Sequence, residues 1–113
     1  MSFLVEEFDK YVLITSNVEK LDASNASLLK DELTNLNKKG VNTIIINLTN
    51  TKYCDSSGLS AILVANRICK DTNGKFVLVG LQANVLKLIS ISQLDKVLTI
   101  TSSITEAVEV LSA

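Results

Sequence analysis

The residues that the sequence lacks set the first limits on its function. Its 113 residues include no histidine, no proline and no tryptophan, and only two cysteines. Without histidine, catalytic triads, histidine-dependent acid–base catalysis and histidine-ligated metal sites are excluded. The two cysteines, Cys54 and Cys69, provide neither a disulfide framework nor a zinc ligand set, and we expect both to have a structural role. The sequence therefore predicts a protein that is not an enzyme, has no catalytic residues and needs no cofactor or metal.

Charge is nearly balanced. Basic residues number 11 and acidic residues 12, and the two signs are interleaved along the chain. The absence of a basic block argues against nucleic acid or an anionic membrane as a partner. No apolar run approaches the roughly 20 residues that a membrane span requires, and Glu6 and Glu7 come too early for a secretory signal. We therefore expect residues 1–113 to form one cytoplasmic domain that binds neither nucleic acid nor membrane.

The alternation of strand and helix patterns predicts the fold class. The order β-β-α-β-α-β-α-β-α is typical of an α/β sandwich with a mixed, mostly parallel sheet of about five strands and about four helices. The run Ile44-Ile45-Ile46 is continuously apolar, as expected of a central strand that is buried on both faces. The first two strands are predicted to form a hairpin around Asp9-Lys10. The predicted strands are 3–8, 11–16, 43–48, 76–79 and 97–100, and 50–54 is predicted to be a loop.

Capping residues predict where the helices begin. Asp22, Asp55 and Asn84 are predicted N-caps, and a capping box from Ser103 to Glu106 opens the last helix. The second helix is predicted from about Ser56 to Thr72. The first helix has Ala26, Leu29, Leu33 and Leu36 on its inner face and ends at Lys38-Lys39-Gly40, and the last has Ile104, Ala107, Val108 and Leu111 on its inner face.

The turn before the second helix is the candidate functional site. Open α/β sheets bind ligands at the carboxyl ends of their strands, and here that position carries Asp55-Ser56-Ser57-Gly58. A helix N-terminus offers unpaired N–H groups and a partial positive charge, which suit a phosphate. Gly58 is expected to leave room for a partner's backbone. An ordinary N-cap explains the same residues, and no histidine is present to activate a nucleophilic serine, so a plain cap and a phosphate site both stay open.

The second helix is apolar around most of its circumference. Only Ser60, Arg67 and Asp71 form a coherent polar stripe at the helical spacing. Such a helix either packs nearly all round or exposes apolar groups beside Ser56. An exposed apolar rim around Leu59 and Leu63 is predicted to be a partner-binding surface.

The segment Asp55-Ser56-Ser57-Gly58-Leu59 resembles the motif of the STAS family, specifically of its stand-alone anti-anti-sigma factors. Leu21-Asp22 and the strand Ile44–Leu48 are in register with this motif, and the resemblance extends over essentially the whole chain. The chain departs from the family pattern at two points. The segment Val18–Asp22 lacks the glycine of the family's Gly-x-Leu-Asp sequence, and Ser60 stands where the family often has glycine.

The resemblance implies a partner-switching function. Ser56 corresponds to the serine that an anti-sigma factor, a serine kinase of histidine-kinase-like fold, phosphorylates, and a PP2C-type phosphatase removes the phosphate. The unphosphorylated form binds the anti-sigma factor and so releases a sigma factor, and Asp22 corresponds to an aspartate that contributes to this contact. Two other outputs stay open: an adaptor with a non-sigma output, and a subunit of a lipid-trafficking ABC transporter, a type that often lacks the serine.

Overall fold

The computed structural model describes residues 2–112 and contains strands and helices in close to the predicted order. The strands are β1 (Phe3–Glu7), β2 (Val12–Ser16), β3 (Lys20–Leu21), β4 (Thr43–Asn47), β5 (Tyr53–Cys54), β6 (Lys75–Val79) and β7 (Thr99–Thr101). The helices are α1 (Ala26–Lys38), α2 (Ser56–Asp71), α3 (Ala83–Ile91) and α4 (Ile104–Ser112), with a 3-10 helix at Leu94–Lys96. Within residues 2–112, no helix has the length and apolar character to cross a membrane.

The main sheet has five strands in the order β1-β2-β4-β6-β7. β1 pairs with β2 in antiparallel fashion, and every other neighbouring pair in this sheet is parallel. A mixed, mostly parallel sheet of five strands with four helices is therefore confirmed. The parallel strands all end on one side of the sheet, which we call the carboxyl edge. The opposite side, which we call the amino edge, includes the hairpin turn from Phe8 to Tyr11.

Alternating side chains of the central strands supply both faces of the core, because successive residues of a strand point to opposite sides. Ile44 and Ile46 pack with α1, α2 and α3, whereas Ile45 packs with Ala107 of α4. All three isoleucines are fully buried, which confirms that the strand is covered on both faces. The predicted inner face of α1 is confirmed at Ala26, Leu29, Leu33 and Leu36.

Two helix starts that were predicted from N-cap residues are wrong. α1 begins at Ala26, because the Asp22 carboxylate is already engaged in a turn that precedes the helix. This carboxylate accepts hydrogen bonds from the Ser24 backbone N–H at 2.9 Å and from the Ser24 hydroxyl at 2.5 Å. α3 begins at Ala83, so Asn84 lies inside its first turn. The Gln82 side chain donates to the Thr49 carbonyl oxygen at 2.6 Å, which anchors the chain just before α3.

The last strand lies later in the chain than the sequence predicts. The segment 94–96 folds into the 3-10 helix, and Val97 follows as its exposed C-terminal residue. β7 therefore spans Thr99–Thr101 rather than 97–100. All three residues of β7 pair with β6, and Leu98 just before the strand is buried.

The predicted capping box of α4 is half formed. The Glu106 N–H donates to the Ser103 hydroxyl at 3.1 Å, as a capping box requires. The Glu106 carboxylate instead accepts from the Ser102 hydroxyl at 3.2 Å. Ala107 is fully buried, and Val108 and Leu111 pack beside it, but Ile104 is 36% exposed and was wrongly assigned to the inner face.

Candidate functional site

A two-stranded parallel sheet, formed by β3 and β5, builds the site at the carboxyl edge. Lys20 pairs with Tyr53 and Leu21 with Cys54, so the loop predicted for 50–54 is wrong at its end. The Leu21 carbonyl oxygen also accepts the Asp55 N–H at 3.2 Å. Strands of two residues carry no periodic signal, which explains why the sequence did not reveal them. This pairing brings the segment around Asp22 beside the turn that carries Ser56.

A buried polar pair fixes the connection between β4 and β5. The hydroxyls of Ser16 and Thr51, both fully buried, share a hydrogen bond of 2.7 Å. The Thr51 hydroxyl also donates to the Val18 carbonyl oxygen at 2.8 Å. These hydrogen bonds tie the chain that leaves β4 to the chain that leaves β2. Neither residue was predicted from the sequence, because a small hydroxyl side chain in a predicted strand or loop gives no sign that it has a buried hydrogen-bond partner.

Asp55 caps α2, as predicted from the sequence. Its backbone is extended, and its carboxylate accepts the Gly58 N–H at 3.0 Å. Ser56 is the first residue of α2 and is exposed, whereas Ser57 is half-buried. Because the first N–H groups of a helix have no partner within it, Ser56 lies where an anion is electrostatically favoured.

Gly58 has a different role from the predicted one. It is buried, and a Cβ atom at this position would overlap the Leu21 carbonyl oxygen and come within 2.8 Å of the Cys54 sulfur. The space that a partner's backbone was expected to use is therefore occupied by the protein's own β3. Gly58 allows α2 to pack directly on β3, and the expectation of a close partner approach at this residue is wrong.

Asp22 is half-buried at the start of a hydrogen-bonded turn. Besides the two bonds from Ser24 to its carboxylate, its N–H donates to the Asn25 side-chain oxygen at 3.0 Å, and the Asn25 amide donates to the Lys20 carbonyl oxygen at 2.8 Å. The hydrogen bond from the Ser24 hydroxyl lowers the pKa of Asp22, with further lowering from the Ser24 N–H and the positive charge of Lys20. Asp22 is therefore a negatively charged group on a fixed backbone.

Glu19 stands where the resemblance implies a glycine. Among non-glycine residues in the described range 2–112, only Asn73 and Gln93 have positive φ, so the backbone at Glu19 does not need glycine. Its carbonyl oxygen accepts the N–H groups of Lys52 and Tyr53 at 2.8 and 3.1 Å. The substitution therefore leaves the pairing intact and adds an exposed carboxylate. A depression at this position is lined by Glu19, Lys20, Asp22, Tyr53, Cys54 and Asp55.

Leu59 and Leu63 are half-buried and pack against the core on the side of the sheet that α1, α2 and α3 cover. They lie in the first two turns of α2 and keep part of their surface accessible. Arg67 and Asp71 are exposed as predicted, whereas Ser60 is half-buried. The helix is thus packed around most of its circumference, and the exposed parts of the two leucines form a narrow strip rather than a wide apolar patch.

Both cysteines are held as neutral thiols. Burial, and secondarily the charge of Asp55, raises the pKa of Cys54 to about 11. Burial also raises the pKa of Cys69 to about 11. A neutral thiol is a poor nucleophile and a poor metal ligand, which fits the structural role expected of both residues. Across the part of the chain that the structure describes, no three His, Cys, Asp or Glu side chains converge as potential metal ligands.

The fold agrees with comparisons to known proteins. The STAS domain family matches residues 4–107, and the chain belongs to this family. A candidate anti-sigma factor antagonist of Thermotoga maritima is 32% identical over 105 residues, which cover 89% of each chain.

Solved structures extend this agreement to the whole fold. The crystal structure of a candidate anti-sigma factor antagonist from T. maritima has a TM-score of 0.92 and 28% identity, covering 98% of this chain and 95% of that one. The anti-sigma factor antagonist SpoIIAA in its unphosphorylated form has a TM-score of 0.73 and 19% identity, covering 94% and 93%. Phosphorylated Bacillus SpoIIAA has a TM-score of 0.74 and 23% identity, covering 95% and 96%. These last two comparisons concern the fold alone.

Proposed function

We propose that this STAS protein is a phosphorylation-controlled antagonist of an anti-sigma factor. The unphosphorylated form binds an anti-sigma factor that is also a serine kinase of histidine-kinase-like fold, and this binding releases a sigma factor. The kinase phosphorylates Ser56 and so ends the interaction, and a PP2C-type phosphatase restores it. The chain itself is a cytoplasmic binding protein and not an enzyme. The observation that carries the proposal is the exposed Ser56 at the start of α2, directly after the Asp55 cap.

Exposure favours Ser56 over its neighbour as the phosphate acceptor. Ser56 is exposed and Ser57 is half-buried, and a kinase needs access to the hydroxyl that it modifies. The Asp55 cap fixes the helix start through the Gly58 N–H, so Ser56 is presented at one position relative to the sheet. A serine on a rigid turn costs little conformational entropy to bind, which supports recognition by a partner.

The surroundings of Ser56 favour a switch that acts through charge at the surface. The hydrogen bond from the Asp55 N–H to the Leu21 carbonyl and the close packing of Gly58 on β3 leave the turn little freedom to rearrange. A phosphate therefore changes the charge of this surface without a new fold. The similar TM-scores to both forms of SpoIIAA are consistent with one fold for both states.

The partner-binding surface includes Asp22 and the exposed parts of Leu59 and Leu63. Asp22 directly follows β3, the strand that pairs with the segment leading to Ser56. Leu59 and Leu63 continue from Ser56 along the first two turns of α2. A phosphate at Ser56 would lie between the Asp22 carboxylate and the apolar strip of Leu59 and Leu63. Such a dianion can be buried in an interface only at a high desolvation cost, which explains how phosphorylation ends binding.

The proposal is tested with the serine kinase of histidine-kinase-like fold encoded nearest to this chain's gene. The purified kinase and ATP are incubated with wild type, Ser56→Ala and the matched control Ser57→Ala, and the products are mapped by mass spectrometry. We expect phosphate on Ser56 in wild type and in Ser57→Ala, and none in Ser56→Ala. Phosphate on Ser57 alone, or stable kinase binding with no phosphate transfer, would refute the assignment.

A further inference from the structure

Tyr53 is an exposed aromatic residue next to the proposed phosphate acceptor. Tyr53 is 46% exposed. It lies in β5, two positions before Asp55. Its neighbour Cys54 packs against the core, and the alternation of strand side chains directs Tyr53 outward. We propose that Tyr53 supplies a large part of the binding energy for the partner: the kinase that binds over Ser56 buries the Tyr53 ring. This inference rests on the proposed function and names a residue that neither the motif nor the resemblance assigns.

The position of Tyr53 makes this contact difficult to avoid. Tyr53, Asp22 and Asp55 line the same depression beside the N-terminus of α2. An enzyme that transfers phosphate to Ser56 must place its active site over that N-terminus, and so covers the adjacent depression. Tyr and Trp are enriched among the residues that supply most of the binding energy of protein interfaces. A ring at this position is therefore expected to contribute to affinity rather than to the chemical step.

The Tyr53 ring stands on a fixed backbone. Its N–H donates to the Glu19 carbonyl oxygen at 3.1 Å, and the residue pairs with Lys20 across the two-stranded sheet. The Lys20 ammonium lies 5.9 Å from the centroid of the ring, within the range of a cation–π interaction. This contact favours one position of the ring before the partner arrives. Preorganisation of this kind reduces the entropy lost on binding.

The chain offers a matched control for an exposed aromatic residue. Phe8 is 47% exposed, close to the value for Tyr53, but it belongs to the hairpin turn at the amino edge. Its ring stacks on Tyr11 with a centroid distance of 4.9 Å. The amino edge lies at the opposite end of the parallel strands from Ser56. A kinase bound over Ser56 is therefore not expected to contact Phe8.

The test compares four proteins with the same purified kinase: wild type, Tyr53→Ala, Tyr53→Phe and Phe8→Ala. The dissociation constant, KM and kcat for phosphorylation of Ser56 are measured, together with each melting temperature. We expect Tyr53→Ala to weaken binding and raise KM about thirtyfold, the loss typical of an aromatic hot spot, with kcat unchanged. Tyr53→Phe restores most of the affinity because it keeps the ring, and Phe8→Ala binds like wild type.

The outcomes separate this inference from the proposed function. If wild type is phosphorylated on Ser56 but Tyr53→Ala binds as tightly as Phe8→Ala, the inference is wrong and the proposed function stands. A fall in kcat with unchanged KM also refutes the affinity role. If Tyr53→Ala is unfolded, Tyr53→Thr, which keeps a residue favoured in strands, decides by the same criteria. A wild-type chain that the kinase neither binds nor phosphorylates overturns both proposals.

Discussion

The carboxyl and amino edges of the sheet each display an exposed aromatic residue, but they are stabilised in different ways. At the amino edge, Phe8 and Tyr11 stack within one hairpin turn, and the Phe8 N–H donates to the Tyr11 carbonyl oxygen at 2.9 Å. At the carboxyl edge, Tyr53 and Asp55 are held by β3, a segment more than thirty positions away in the sequence. The amino edge is thus built from neighbours in the chain, and the carboxyl edge from segments that meet only in the fold.

This difference shows how the protein keeps a functional surface rigid. The turn from Asp55 to Gly58 is fixed from beneath by Leu21, while the Ser56 side chain above it remains exposed. A charge added at Ser56 therefore meets a backbone that has little freedom to respond. Under the proposed function, phosphorylation of Ser56 would therefore change the binding properties of this surface and not the fold beneath it.

The largest stability effect is expected at Gly58. The Gly58→Ala variant places a methyl group against the Leu21 carbonyl, and we expect a loss of about 3 kcal/mol in the free energy of unfolding, despite the better helix propensity of alanine. Urea denaturation measures the loss, and phosphorylation of Ser56 should slow because the turn is displaced.

Gly40 is the matched control for Gly58. It has a φ of +88° with open space around its Cβ position, so Gly40→Ala introduces backbone strain of about 1–2 kcal/mol without a steric overlap. We expect this variant to be destabilised but phosphorylated at the wild-type rate. If both variants lose the same free energy of unfolding and both are phosphorylated at the wild-type rate, the close packing of Gly58 on β3 does not position Ser56.

A smaller effect is expected from removal of the Asp55 cap. Asp55→Ala leaves the Gly58 N–H without its acceptor and should reduce the free energy of unfolding by about 1 kcal/mol. Phosphorylation should fall by more than the fraction of unfolded protein explains. The control is Asp22→Ala, which removes an aspartate that does not cap α1 and should weaken kinase binding more than it affects melting. Wild-type melting and phosphorylation in Asp55→Ala would contradict the capping role.

The smallest effect concerns the cysteines. Because the pKa values of Cys54 and Cys69 are raised to about 11, we expect iodoacetamide to modify the folded protein at pH 8 about a hundredfold more slowly than the urea-unfolded chain. A raised pKa means that the unfolded thiol loses its proton first. The contribution of the neutral thiols to the free energy of unfolding is therefore complete below about pH 9, the ordinary pKa of a thiol. This contribution is lost as the pH rises towards 11. Equal alkylation rates in folded and unfolded protein would contradict the neutral state of the two thiols in the fold. The Cys69→Ala variant serves to measure the alkylation of Cys54 alone.

What the sequence predicted correctly depends on local pattern. The inner face of α1, the doubly buried Ile44–Ile46 and the Asp55 cap each follow from residues within a few positions of one another. The wrong N-cap prediction at Asp22 also came from local pattern, because Asp is common in turns as well as at N-caps. In the fold its carboxylate accepts the Ser24 N–H instead of capping the helix.

What the sequence did not predict depends on contacts between distant residues. Ser16 and Thr51 are 35 positions apart, and the pairing of β3 with β5 joins segments of only two residues. The role of Gly58 was mistaken for the same reason, since the neighbour that excludes a side chain belongs to β3. The site motif was therefore visible in the sequence, but the scaffold that holds it was not.

The most direct test of the account is a paired measurement on the protein with and without phosphate on Ser56. The interaction of the phosphate with the helix N-terminus, worth about 0.3–1 kcal/mol, is opposed by repulsion from Asp55, so the melting temperature should change by less than about 3 °C. The affinity for the kinase should fall by several kcal/mol, on the order of a hundredfold or more, because the dianion would be desolvated beside Leu59. A large drop in melting temperature, or an unchanged affinity, would contradict a switch that acts through surface charge on a rigid turn.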